Sequence, residues 1–264
     1  MEAKMKKNAD MAILVYSCWK NRDMWRIFLK LFRKYWQNCP YRLILLTDKY
    51  NGKGEAYDFD DIVVCDSNWH DMIMAGIECA GTEYIMLWMD DYLLCDYIQN
   101  EDIAYYVEKA RKHHAANLRL AESPTIPSKV FEGDRELNCY TPGTAYSFST
   151  QVGIWNVDFL KKNIKEDWSA WDFERKGSLE VKDYAYPLLA ARNYTFPYEE
   201  GVRRGKWMDN GIRLCQRNNI RLDFKKRKPM SSFELAWIYL KGGILGLNPT
   251  FIVKVQNFFQ RLKG

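Results

Sequence analysis

The strongest chemical signal in this 264-residue chain is residues 84–94, YIMLWMDDYLL, where an apolar run delivers two adjacent carboxylates, Asp90 and Asp91. A pyrophosphate needs a divalent ion to neutralise it, and Mg²⁺ or Mn²⁺ takes oxygen ligands from one or two carboxylates plus the phosphates. Asp91, alone or with Asp90, is therefore the candidate metal ligand. The plain alternative is a solvated turn closing a strand, where Asp is common. A second feature is residues 201–207, GVRRGKW, which set Arg203, Arg204 and Lys206 among glycines and beside an indole. Arginine meets phosphate oxygens with two N–H groups and lysine acts as a point charge; the alternative is a solvated basic loop. A third is residues 169–174, SAWDFE, with Asp172 and Glu174 two positions apart. On a helix they would point to different faces, so only one of them would face a site. Here the alternative is acids that cap or solvate a short helix whose core stripe is Trp168 and Trp171.

These groups need a scaffold, and the first half of the chain supplies a regular one. Apolar runs at 11–17, 42–47, 62–65, 84–89 and 116–121 read as strands. Helical spacing appears at 23–37, 68–80 and 101–113, with Trp25, Phe28, Leu29, Phe32 and Trp36 on one face of the first helix. Near-continuous apolar strands separated by helices imply a mostly parallel sheet covered on both faces. In such sheets ligands bind beyond the carboxyl ends of the strands. Those ends are Ser17, Cys18 and Trp19; Thr47 and Asp48; Asp66, Ser67 and Asn68; and Asp90 and Asp91, a polar rim above an apolar sheet. Proline and glycine punctuate 123–143, which reads as a loop or lid. Regular structure resumes over 145–157 and gives way to short helices up to 192. A basic stretch without clear period follows at 201–228. Residues 1–228 are expected to form one α/β domain, and 229–264 an amphipathic, aromatic and basic extension.

Charge divides the chain. Residues 203–228 hold ten Lys/Arg against two Asp, whereas residues 1–202 are net acidic. A basic end suggests a phosphate-bearing partner, while an acidic body would repel a nucleic acid. The seven cysteines include no CxxC and several lie in apolar runs, which suits a reduced, cytoplasmic protein. His70, His113 and His114 form no metal-binding spacing. There is no nucleophile elbow, dinucleotide fingerprint or Walker loop. No run reaches the roughly 18–20 apolar residues that cross a bilayer. The extension, broken by Lys241, Gly242, Gly243, Asn248 and Pro249, suits at most a peripheral place on the inner face of a membrane.

The order of parts resembles the GT-A glycosyltransferases, in particular the inverting family 2-like enzymes. The opening strand with its VYSCWKNRDMW turn, Asp48 after the second strand, the layout DSNWHDMIMAGIECAGTEYIMLWMDD, and QVGIW ahead of SAWDFE all follow that layout across roughly residues 11–210. The chain departs from the family in having Met89-Asp90-Asp91-Tyr92 in place of D-x-D, and GVRRGKW in place of Q-x-x-R-W. The resemblance implies a GT-A fold: a Rossmann-like mixed sheet flanked by helices, with a helical C-terminal extension. It implies a sugar moved from a nucleoside-diphosphate donor to a glycan or lipid-linked glycan in polysaccharide assembly. Ser17, Trp19, Asp48 and Asn68 would contact the nucleoside end of the donor. Asp90 and Asp91 would hold a divalent cation (Mn²⁺ or Mg²⁺) or the donor sugar. Arg203, Arg204 and Lys206 would meet the leaving diphosphate. Glu174, or else Asp172, would be the base, and Trp155 and Trp171 would stack on sugars. A nucleotidyltransferase shares this architecture but normally brings a glycine-rich loop after the first strand, and SCWKNRD has no glycine. A non-catalytic module binding membrane or nucleic acid through the basic end is the remaining alternative.

Overall fold

A computed structural model describes residues 10–52, 58–123, 126–182 and 185–236. Its centre is a nine-stranded sheet in the order β3-β2-β1-β4-β9-β6-β10-β8-β7. The strands are β1 (Met11–Tyr16), β2 (Arg42–Thr47), β3 (Asp61–Val64), β4 (Tyr84–Met89), β6 (Asn117–Arg119), β7 (Ser128–Phe131), β8 (Asp134–Tyr140), β9 (Gly153–Asn156) and β10 (Leu188–Ala191). Two-stranded pairs stand outside it: β5 (Tyr92–Leu94) with β11 (Tyr198–Glu200), and β12 (Val202–Arg203) with β13 (Lys206–Trp207). The helices are α1 (Arg22–Tyr35), α2 (Trp69–Ala80), α3 (Asn100–Lys112), α4 (Val157–Asn163), the short turns α5 (Ala170–Asp172) and α6 (Ser178–Glu180), and α7 (Asp209–Arg217).

The apolar runs form strands because both faces of the sheet are covered. Along β1, Met11, Ile13 and Val15 join one core with α1 and α3; Ala12 and Leu14 join another with α2 and α4. All five of these side chains are inaccessible to solvent. Helix α1 buries Met24, Trp25, Phe28, Leu29 and Phe32, and Trp88 of β4 stands edge-on to Phe28 at 5.3 Å. The α/β class and the mixed sheet flanked by helices agree with the expected fold.

Strand direction decides where chemistry can occur. The run β3-β2-β1-β4 is parallel throughout. Strand β9 is antiparallel to β4 and to β6, so β6 again points the same way as β1 and β4. The carboxyl ends of β1, β4 and β6, namely Tyr16, Met89 and Arg119, therefore open on one edge.

Two segments differ from the sequence reading. Residues 128–140 of the expected lid form the β7–β8 pair, which extends the sheet beyond β10. Gly133 sits beside the connection, and Lys109 of α3 pins the pair by ion pairs to Asp134 and to Glu136, the latter at 2.8 Å. The basic stretch also has structure. Arg204 and Gly205, with φ of 52° and 75°, make the two-residue turn between β12 and β13, and α7 follows. Left-handed conformation at both positions is the geometry of a tight hairpin turn, which suits glycine and strains an arginine. Most of the 229–264 extension lies outside the described residues. Its first part is docked: the Lys206 ammonium pairs with Glu234, whose other oxygen accepts from Ser231 N–H at 2.9 Å.

Candidate functional site

A cleft of about 1300 Å³ opens above that edge of the sheet. Tyr16, Met89 and Arg119 lie at its floor, and Asp91, Glu174, Glu200, Arg203 and Arg204 line its walls. Asp91, Glu174 and the pair Arg203 and Arg204, from three separate segments of the chain, thus meet in one cavity. Asn68 and Trp171 line it as well.

The two aspartates separate sharply. Asp90 is 3% exposed and does not line the cleft. Its Oδ2 accepts from Ser17 Oγ–H at 2.5 Å, and Ser17 Oγ in turn accepts from Trp25 Nε1–H at 2.6 Å. Burial first, then the Asp91 carboxyl beside it, pushes Asp90 well above the usual carboxylate range. Asp90 and Ser17 therefore form an internal strut and do not line the cleft in which donor and metal were expected. Asp91 faces the cleft. Its Oδ1 is buried with no hydrogen-bond partner among the described residues. Burial, then the Glu200 carboxylate, pushes its pKa up to about 7. Glu200 reaches Asp91 because β11 pairs with β5 in a register that sets Glu200 against Tyr92.

Glu174 and Asp172 separate as well. Asp172 closes a capping box with Ser169 and pairs with Lys176 at 3.0 Å. It does not line the cleft, and its contacts here are those of a helix cap. Glu174 lies in a π-helical turn, Phe173–Gly177, a departure from α geometry that recurs at functional sites. Its Oε1 accepts from Thr150 N–H at 2.7 Å, Thr150 Oγ1–H at 2.8 Å and Ser149 Oγ–H at 3.3 Å. Oε2 has no hydrogen-bond partner among the described residues. Three donors on one oxygen fix the carboxylate's orientation and leave the other oxygen to a ligand.

The cations fall into two sets. Arg203 binds Glu200 through Nε at 2.5 Å and through Nη2, which keeps its fork beside Asp91. Arg204 lines the cleft without a partner among the described residues. Lys206 does not line the cleft, and its ammonium is paired with Glu234. Gly201 serves packing rather than a ligand. Its N–H donates to Asp91 C=O at 2.7 Å, and a Cβ on Gly211 would stand 2.5 Å from its Cα.

Among the remaining expected contacts, Asp48 Oδ1 accepts from Trp19 N–H at 2.5 Å, tying β2 to the β1–α1 turn; neither residue lines this cleft. Asn68 caps α2 through Asp71 N–H at 2.9 Å while also lining the cleft. Trp155 is wholly buried, edge-on to Phe148, so its stacking role is corrected to core. Trp171 is 71% exposed at the cleft.

Among the cleft residues that escaped the sequence reading are Glu200, Tyr146 and Arg119. Arg119 had a visible signal, since an arginine inside the apolar run ANLRLA has no cheap place to go unless it works. Tyr146, in a stretch read as regular structure, and Glu200 gave none.

The fold and the cleft together define an α/β protein built on a mixed sheet flanked by helices, with carboxylates and arginines gathered at the carboxyl-end edge of its parallel strands. No family model matches the sequence, and no curated protein matches it. Among solved structures, the chain is similar to S. aureus TarS 1-349 at a TM-score of 0.46 and 13% identity, covering 72% of this chain and 59% of that one. It is also similar to a UDP-glucose pyrophosphorylase complexed with UDP-glucose, at a TM-score of 0.45 and 9% identity, covering 72% and 91%. The chain thus spans about 59% of the length of the TarS chain it matches. These likenesses concern fold alone.

Proposed function

We propose that this protein is a glycosyltransferase that moves a sugar from a nucleoside-diphosphate donor to a hydroxyl of a glycan or lipid-linked glycan. The observation that carries this is the convergence of Asp91, Glu174, Arg203 and Arg204 on one cleft beyond the carboxyl ends of β1, β4 and β6. Glu174 Oε2 takes the proton of the acceptor hydroxyl. The acceptor oxygen forms its bond to the anomeric carbon, and the bond from that carbon to phosphate breaks, with the electron pair leaving on the diphosphate. Arg204 stabilises that charge directly, and Arg203, whose Nε and Nη2 are held by Glu200, adds the field of its guanidinium; fixed cations in a low-dielectric cleft contribute strongly to such barriers. Attack by an acceptor opposite the leaving group inverts the anomeric centre.

The donor set fits a hard cation. Asp91 Oδ1 is an orphaned buried acceptor, Glu200 stands beside it, and one or two carboxylates with phosphate oxygens satisfy Mg²⁺ or Mn²⁺. Among the described residues no group of three or more acids, histidines or cysteines could hold a metal without such help. When bound, the ion would neutralise diphosphate charge. Trp171 offers an exposed ring for an acceptor sugar. Among the described residues no helix is long and apolar enough to cross a membrane. Exposed Phe224 and Phe233, with Lys225 and Lys226 beside Phe224, support a peripheral place on the inner face of a membrane.

The test is thermal stabilisation by UDP, GDP, TDP and CMP, each with and without Mn²⁺ or Mg²⁺, since a ligand of the folded state raises the melting temperature. One nucleotide is expected to shift it more with the cation than without. No shift from any of them would remove the proposal.

A further inference from the structure

Arg119 has no part in the chemistry proposed above, yet it is the most demanding group in the cleft. It ends β6 at the floor and is only 3% exposed. Among the described residues no carboxylate lies within ion-pair distance. Its direct partners are neutral: Nη2 donates to Tyr146 C=O, and the guanidinium hydrogen-bonds the Tyr140 side chain and lies 4.9 Å from the centre of its ring. Its Nε–H is buried and has no acceptor among the described residues. A buried cation that lacks both a counter-ion and a full set of acceptors is costly. Such groups persist where a ligand completes them.

The surroundings indicate which ligand. Tyr146 holds φ at 60°, a left-handed conformation that strains a bulky residue, and in that conformation its carbonyl meets Arg119. Strain of this kind gathers at ligand clamps. The diphosphate's cations, Arg203 and Arg204, come from the β11–β13 wall. Arg119 comes instead from the sheet, within electrostatic reach of Glu174 and Tyr198. An anion at Arg119 would therefore sit on the sugar side of the cleft, near the proposed base. A neutral hexose brings hydroxyls there, which leave the charge uncompensated; a sugar carboxylate brings two oxygens that match a guanidinium.

We infer that Arg119 selects a carboxylate-bearing sugar, a uronic acid, as donor or acceptor of the transferase reaction. The inference rests on the transferase reading for the identity of the ligand, and its test is separable from that reading. The Nε–H resonance of Arg119, assigned by its loss in Arg119→Gln, is followed while sodium D-glucuronate or D-galacturonate is added to the full chain. D-glucose, D-galactose and sodium acetate at matched ionic strength are the controls. The uronates are expected to move the resonance and to bind at least about tenfold more tightly than the neutral sugars or acetate, as a charge-assisted pair would. Equal binding of neutral sugars, or uronates that leave the resonance in place, overturns the inference. If Arg119→Gln does not fold, the wild-type affinities for uronates and neutral sugars decide alone. A comparison of UDP-glucuronate with UDP-glucose then assigns the donor: a tenfold preference places the acid on the donor, and no preference, with free uronate still bound, places it on the acceptor. Nucleotides that bind while uronates fail would remove only this inference. Uronates that bind while every nucleotide fails would remove the transferase reading and leave the acidic-sugar site.

Discussion

Two walls of the molecule use the same residue types to opposite ends. On one side Trp25, Ser17 and Asp90 form a chain of hydrogen bonds, and Asp48 closes on the Trp19 amide. Nearly every polar atom there is answered inside the protein. On the other side Asp91 Oδ1, Glu174 Oε2, the Arg204 guanidinium and Arg119 Nε face the cleft or lie behind it without a full set of partners. Satisfied polar groups fix a shape; unsatisfied ones hold free energy in reserve for a ligand. Adjacent aspartates fall on opposite sides of that line, so composition alone could not assign them.

The comparison breaks most easily at the two acids beside Trp171. Glu174→Gln is expected to lower sugar transfer, or slow donor hydrolysis, by about 10²–10⁴-fold, the range of a lost general base. Asp172→Asn is expected to leave the rate near that of wild type and to cost stability only through the capping box and the Lys176 pair, on the order of 1 kcal/mol. The reverse ranking would reassign the base.

Asp91 and Asp90 sharpen it. Asp91→Asn is expected to abolish the Mn²⁺- or Mg²⁺-dependent part of nucleotide binding, whereas Asp90→Asn leaves it close to wild type. Stability should move the other way. Asp91 is held up at about 7, so from about pH 4 to 7 the folded chain binds more protons than the unfolded one and loses stability as pH rises. Asp91→Asn escapes that loss. Its melting temperature should exceed wild type by several degrees at pH 8, and the gap should vanish towards pH 4. Calorimetry across that range without metal checks this.

The smallest contrast concerns the cations. Arg204→Ala is expected to weaken diphosphate binding about tenfold, more at low salt, because a charge-assisted contact is lost. Lys206→Ala should do little to binding, since Glu234 already holds that ammonium. Titration calorimetry at two ionic strengths separates them.

Much of the scaffold was legible because apolar runs in a buried parallel sheet have few other readings: β1, β2, β3, β4 and α1 to α3 fall close to their expected bounds. The β7–β8 pair was hidden by Pro124, Pro127 and Gly133, which mimic a loop although the intervening residues still pair. Trp155 and Trp171 share a residue type and differ only in what covers them, which no local pattern encodes. Asp91, Glu174, Arg203 and Arg204 were legible as types in chemically suggestive settings. Their companions Glu200, Tyr146 and Arg119 were brought in by strand register and backbone strain, which arise only once the chain is folded.

Gly201 receives the backbone of the Asp91 loop on its amide and that of Met208 on its carbonyl, while Gly211 presses against its bare α-carbon. The acidic turn and the arginine hairpin are thereby spliced at a single residue. A Cβ at Gly201 would stand 2.6 Å from Leu93 Cδ1 and 3.3 Å from the Asp91 carbonyl, so a single added methyl would press the two sides of the cleft apart.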